Sequence, residues 1–276
     1  MTIGIIAVVL FAAILHASWN ALVKGSSDRA VTLAHISLGH VIPGFALVAI
    51  SPNIVSEAWP YIIASTVIHW GYYYFLNVSY RLGDLSLIYP IARGLAPVLI
   101  AIGAQYWAAE TLPLIAWVGI MIVSFGILIL AFNRSKASGA AISAALVTSL
   151  FIASYSIVDG IGIRVSGDPV AYIGWLFIAE LFVIFFVWFR FPKRLVAVGA
   201  RVTMFGIGGG LLSGLAYGLV LYAKTLAPLG IVSALRETSV IFAALIGVVL
   251  MNERPIGRRV SAAIVVAIGI IVLTWY

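Results

Sequence analysis

Residues 84–110, DLSLIYPIARGLAPVLIAIGAQYWAAE, form an apolar run with prolines at 90 and 97 and an arginine, Arg93, well inside it. Residues 227–253, APLGIVSALRETSVIFAALIGVVLMNE, lie 143 positions later and place Arg236 on Arg93 and Glu253 on Glu110. At the same offset Lys224 falls on Arg81, Gly214 on Gly71, Tyr217 on Tyr74 and Gly269 on Gly126. Over residues 71–130 eleven of sixty positions are identical. Apolar composition explains part of that. The matched charges stand out, because charged residues are only 9% of the chain. The chain reads as a half-length unit written twice.

Composition sets the class. Of 276 residues 63% are apolar, and the mean hydropathy is +1.17. A soluble domain carries about 25% charged residues, so this is an integral membrane protein. Its apolar runs are continuous over about 20 residues, the length a bilayer-crossing helix needs. A membrane barrel would instead alternate in segments of about ten. The net charge of +7 is read as basic loop residues at the membrane surface and not as a nucleic-acid footprint. With no cysteine in the chain, disulfides and thiolate metal sites are excluded and the redox compartment stays open. The first residues, MTIGIIAVVLFAAILHASW, have no basic residue ahead of the apolar run and read as a retained first span. No Gly-Lys dipeptide exists to build a phosphate loop, so nucleotide hydrolysis is not expected.

Ten helices fit, at 3–24, 30–50, 59–80, 84–106, 112–132, 138–162, 169–191, 201–223, 228–250 and 256–276. The expectation is all-α, with residues 1–134 and 138–276 as two five-helix repeats. The starts of the halves match as well: residues 17–20 (ASWN) pair with 153–156 (ASYS). An odd number of spans per half turns the second copy upside down. That arrangement is common among secondary transporters, whose site lies where the repeats meet.

Ten spans in two halves resemble the drug/metabolite transporter superfamily, EamA type. So do the early Trp19, Asn20 and Lys24, and the acidic residue closing the fourth helix of each half before a glycine-rich fifth. The resemblance covers the whole chain. It implies a multi-pass protein of a bacterial cytoplasmic membrane that carries amino acids, other metabolites or amphipathic drugs, often outward, with no cofactor. The second half departs from the pattern by carrying Tyr155 and Ser156 in place of tryptophan and asparagine.

Ionisable groups inside a span cost about 2.5–3.5 kcal/mol each on insertion scales, so each one present asks for a reason. Arg93 lies nine residues past Asp84, about 13 Å along the helix, and Arg236 occupies the equivalent place beside Glu237. One reading gives two cationic groups to an anionic ligand. The other is an internal salt bridge that locks the halves together through Glu237, leaving one positive charge for a ligand or for Asp159. Glu180 sits mid-helix with no cation next to it in sequence, and His40 sits at a similar depth in the other half. Desolvation is expected to raise the pKa of such a carboxyl, making Glu180, with Asp159, the proton-coupling candidate. His69, Tyr73, Asn77 and Tyr80 share one helical face, as do His16, Trp19, Asn20 and Lys24. Tyr74 and Tyr217 match across the repeat, and Tyr89 lies a turn from Arg93.

The expected substrate site is therefore Trp19, Asn20, His69, Tyr73, Tyr74, Asn77, Tyr89, Arg93, Tyr217, Arg236 and Glu237, with walls from the first, third, fourth, sixth, eighth and ninth helices. Glycines 206, 210, 214 and 218 on the eighth helix read as a close-packing face. The prolines at 90 and 97 are expected to bend the fourth helix, whereas the ninth has only Pro228 at its start.

Twelve lysines and arginines follow odd-numbered spans and two (Arg164, Lys224) follow even-numbered ones. That count predicts both termini outside, whereas the resemblance implies termini in the cytoplasm. The function expected is a secondary transporter of amino acids or similar zwitterions, with a multidrug or cationic-compound exporter as the alternative. A membrane enzyme on a lipid-linked substrate fits less well, because the four histidines are scattered and no metal or paired-carboxylate motif is present. The expected partners are a small-molecule substrate, the lipid bilayer and a coupled proton, with no metal.

Overall fold

The computed structural model of the chain describes residues 1–23, 28–83, 85–131, 138–251 and 256–275, and every regular element among them is helical. Lys24, Asp84, Arg134, Lys136, Glu253 and Arg254, which entered the sequence comparison, lie outside the described residues, as do the side chains of Arg29 and Tyr80. The long helices are α1 (Ile3–Val23), α2 (Arg29–Ile50), α3 (Trp59–Leu82), α4 (Leu85–Trp107), α5 (Leu114–Leu128) and α6 (Gly139–Val165). Then come α7 (Pro169–Ala179), α8 (Leu181–Arg190), a short α9 (Pro192–Val196), α10 (Ala200–Leu226), α11 (Leu229–Glu237), α12 (Ser239–Met251) and α13 (Ile256–Thr274). Among the described residues nine helical segments are long and apolar enough to cross a membrane. The 24-residue α3 falls short of them because His69, Asn77, Arg81 and a run of tyrosines lower its hydropathy.

Two expected helices are each split in two. The seventh breaks at Glu180, whose N–H bonds Phe177 O at 3.1 Å, a tight three-residue turn. The ninth breaks at Thr238, which bonds Leu235 O through its N–H at 3.2 Å and through its hydroxyl at 2.6 Å. A threonine hydroxyl that takes a backbone carbonyl competes with the helical ladder, so this helix is interrupted without proline. By contrast α4 runs as one helix through Pro90 and Pro97.

Local chemistry sets the other boundaries. Asp28 caps α2 by accepting from Ala30 and Val31 N–H at 3.2 Å. Ser138 caps α6 through Ala141 N–H, and Asp168 caps α7 through Ala171 N–H with Pro169 in the first turn. Asp28 also forms a two-pronged ion pair with Arg194 of α9, at 2.7 and 2.6 Å. That guanidinium holds the Asp28 carboxyl below the usual carboxylate range.

Apolar lipid tails give helices little hydrophobic reason to associate, so close packing between small residues does that work. Ala92, Ala96 and Ala104 of α4 meet Ile152, Ala153 and Ile157 of α6. The pairings exchange between the halves. Helix α3 packs on α6 as α10 packs on α1, and α4 packs on α6 as α11 and α12 pack on α1. Helices α5 and α13 pack on each other. There a side chain at Gly126 would sit 2.7 Å from Val266, and one at Gly269 would sit 2.7 Å from Val123.

The glycine face of α10 packs on α2. A methyl at Gly206 would lie 2.5 Å from His35 Cβ, one at Gly39 would lie 2.8 Å from Gly210 Cα, and one at Gly210 would overlap the Ile36 carbonyl. Backbone meets backbone here, so no side chain can yield. Gly210→Leu is expected to lose about 3 kcal/mol, the upper end for overpacking. The readout is a lowered melting temperature and a broadened gel-filtration peak in detergent. A wild-type melt would mean that α2 and α10 do not make this contact.

Candidate functional site

A cavity of about 300 Å³ opens among the helices. Helix α1 contributes His16, Trp19 and Asn20; α2 contributes Leu33, Ile36 and His40; α3 contributes Thr66, His69, Trp70, Tyr72, Tyr73 and Leu76. Tyr89 and Arg93 come from α4, Tyr155 from α6, Phe177 and Glu180 from the broken seventh span, Ser213 and Tyr217 from α10, and Arg236 from α11. All six expected wall helices take part. The second and seventh spans join them.

At one pole, Glu237 is fully buried between two arginines. Arg93 Nε lies 2.5 Å from Glu237 Oε2, and Arg236 Nη1 lies 3.3 Å from Oε1. Both guanidiniums are themselves buried and both reach the cavity wall. Two cations on one carboxylate leave a surplus of one positive charge. Arg236 lies over the Tyr217 ring at 5.5 Å and Arg93 over the Tyr89 ring at 5.8 Å, within the range of cation–π attraction. Arg93 Nη2 also lies 3.4 Å from His16 Nε2, while Trp19 Nε1 points at His16 Nδ1 from 3.3 Å. A neutral imidazole has a single acceptor nitrogen. Arg93 and Trp19 therefore compete for His16.

The other pole is Glu180. Its Oε1 lies 2.8 Å from His40 Nδ1, and the His40 ring stacks on Phe177 at 5.2 Å. No cation adjoins Glu180 in sequence, and the structure gives it an imidazole partner on α2, 140 residues away. Sequence gave the hint in the matched depths of the two residues, without their direction.

An aromatic wall joins the poles. The His69 ring stacks on Tyr155 at 4.1 Å and lies within 6.4 Å of Tyr72, Tyr73 and Tyr217. His69 Nδ1 lies 2.9 Å from Ser65 O, which places its proton on that nitrogen. Tyr155 and Tyr72 stand near Arg93, and Tyr73 near Glu180.

Other expected site residues lie elsewhere. Tyr74 is 65% exposed on the outer surface of α3, against Phe75. Asn77 is exposed as well, and neither lines the cavity. For Tyr74 the reason is angular: each residue turns the helix by about 100°, and Tyr73, not Tyr74, faces in. Asn77 shares the face of Tyr73 but stands one turn further along α3, past Leu76, the last α3 residue of the lining. Asp159 is fully buried beyond the wall. It accepts from Tyr217 OH and, at 3.4 Å, from Tyr172 OH. Lys224, counted as a loop cation from sequence, is also buried and donates to Ser156 O at 2.8 Å and to its hydroxyl at 2.6 Å. Its sequence match, Arg81, is exposed.

Glu110 closes α4 as expected and does more. Ala109 takes a left-handed φ of 52°, and the Glu110 carboxylate then accepts from Leu229 N–H at 3.0 and 2.8 Å, capping α11. Arg164 pairs with the same carboxylate at 2.7 Å and donates to Lys224 O and Ala227 O.

No curated protein matches this chain. A solved crystal structure of a protein superposes on it with a TM-score of 0.73 at 20% identity, covering 97% of this chain and 95% of that one, a likeness of fold. The model of the EamA-like transporter family matches residues 139–275. By that match the chain belongs to the EamA-like transporter family, within the drug/metabolite transporter superfamily.

Proposed function

We propose that this chain is a secondary transporter of small amphipathic metabolites, above all amino acids, working by alternating access at the cavity between its halves. One observation carries the substrate class. A single cavity has surplus positive charge at Arg93, Arg236 and Glu237, a carboxylate at Glu180, and aromatic rings between them. A zwitterion with an apolar side chain meets a complement for each of its parts there. The volume of about 300 Å³ suits a small molecule.

Counting α3 as a span gives ten, five to each half, with the second half inverted. The exchanged pairings of α3 with α6 and α10 with α1, and the offset identities, support that layout. The site proposed is Trp19, Asn20, His69, Tyr73, Tyr89, Arg93, Tyr217 and Arg236, with Glu237 setting its charge. Glu180 is the proposed proton-coupling group, on the wall and in contact with His40; Asp159 is the second candidate, one layer deeper. Export across a bacterial cytoplasmic membrane is the direction and place that fit the family. The aromatic wall also favours a second reading, a carrier of quaternary or aromatic cations, although the surplus positive charge opposes it.

The test is uptake of labelled amino acids into proteoliposomes, with and without an imposed pH gradient. Accumulation driven by the gradient is expected, and Glu180→Gln is expected to abolish the gradient dependence while exchange continues. Unchanged pH dependence in that variant removes Glu180 from the mechanism. If quaternary ammonium compounds are carried and no amino acid is, the zwitterion reading falls.

A further inference from the structure

The cavity reaches only one end of the helix bundle. Its lining comes from the last turns of α1 (His16 to Asn20), the first half of α2 and the first turns of α4 (Tyr89, Arg93). It takes nothing from α4 beyond Arg93, from α6 beyond Tyr155 or from α10 beyond Tyr217. Those three segments, with the start of α7 and of α11, converge at the opposite end. There Ile163, Tyr172, Leu221, Leu229 and Ile231 are all essentially inaccessible. The space that α4 and α6 do leave, a groove of about 690 Å³ between residues 99–107 and 150–161, lies among exposed residues such as Ile102, Tyr106, Trp107 and Leu150.

What holds that end together is polar and buried. Asp159 lies one turn past Tyr155, about 6 Å deeper, and it receives the hydroxyls of Tyr172 on α7 and Tyr217 on α10. Lys224, two turns past Tyr217, bonds back to Ser156 of α6. Closer to the surface, Glu110 and Arg164 join the ends of α4, α6, α10 and α11. In an apolar medium a buried charge is costly unless it is hydrogen-bonded, so such groups hold one arrangement tightly and release it as a unit. Tyr217 belongs to both regions: its ring lies beneath Arg236 in the cavity and its hydroxyl is on Asp159.

We propose that Asp159, with Tyr172, Tyr217 and Lys224, is the latch that keeps this end of the pathway shut, and that Tyr217 links its release to occupancy of the cavity. The inference rests on the transport reading for its purpose, and on the geometry alone for its existence. Asp159 and Tyr172 act as positioning residues: they reach the cargo only through Tyr217.

The absence of cysteine from the chain makes the test clean. Leu221 is fully buried one turn past Tyr217 and packs with Tyr172. Leu221→Cys therefore reports access to the closed end. The readout is its rate of modification by a membrane-impermeant maleimide in proteoliposomes, on protein whose gel-filtration profile matches the parent. Little labelling is expected in the parent background. Asp159→Asn, and independently the shape-conserving Tyr172→Phe, are each expected to raise the rate about tenfold, as losing one hydrogen bond to a charged group would. Rates unchanged in both backgrounds overturn the latch. The assay needs no substrate, so a raised rate without uptake of either amino acids or quaternary ammonium compounds would uphold the latch and sink the transport reading instead.

Discussion

Glu237→Gln is expected to yield little folded protein, with a melting temperature far below that of the parent. The carboxylate is fully buried and is the ion-pair partner of two buried guanidiniums, at 2.5 and 3.3 Å. Glutamine keeps the shape and removes the charge, leaving two like cations side by side, both buried and without the carboxylate that joined them. Breaking a buried pair by removing one partner costs about 3–5 kcal/mol, a large share of a typical stability of about 5–15 kcal/mol. Two cations are stranded here, so the upper end applies. The check is fluorescence-detected gel filtration and a thermal melt of the purified variant. Adding Arg93→Met should restore much of the loss, because it removes the more tightly held cation. A single Glu237→Gln variant that melts like the parent would mean that the arginines are neutralised elsewhere, and the account of this pole would be wrong.

Arg236→Met is expected to do the opposite: a well-folded protein that has lost its ligand. The Arg93–Glu237 pair is the shorter of the two and is neutral by itself, so nothing buried is left uncompensated. What disappears is the surplus charge facing the cavity. Truncating one partner of a desolvated charge pair costs about 2–5 kcal/mol of affinity, so binding of a carboxylated ligand should weaken by at least about 30-fold. The measurement is equilibrium binding in detergent, with the decarboxylated amine of the same ligand as control; its affinity should be unchanged or better. Equal affinity of parent and variant for the carboxylated ligand would remove Arg236 from the site. If Arg93→Met also bound and transported normally, the central-charge reading would fail as a whole.

The class of the protein was legible because membrane insertion writes itself into composition, and hydropathy along the chain carries helix positions directly. The arginine pair was legible too, since a cation inside an apolar run is conspicuous and its repetition at a fixed offset more so. Two things were not. Helix breaks at Glu180 and Thr238 come from hydrogen bonds of a single turn, whereas the visible breakers, Pro90 and Pro97, sit inside a continuous helix. Side-chain direction was the second. One residue of phase decides between Tyr73 in the cavity and Tyr74 facing outward, and a run of three tyrosines on one helix gives no phase of its own. The pairing of His40 with Glu180, and the burial of Lys224 on Ser156, depend on which helices become neighbours. That is information between segments, absent from any one of them.

The contact between α5 and α13 is built from one motif used twice: Gly126 receives Val266, and Gly269 receives Val123. Valine and glycine stand three positions apart on each helix, at the same offset that aligns the halves. Each half thus supplies both the knob and the hole. A half-length chain holding only one such helix would already be complementary to a copy of itself in the opposite orientation. Fusing two copies would change no atom of that contact. For this seam, a tandem gene and a pair of separate identical chains are the same object.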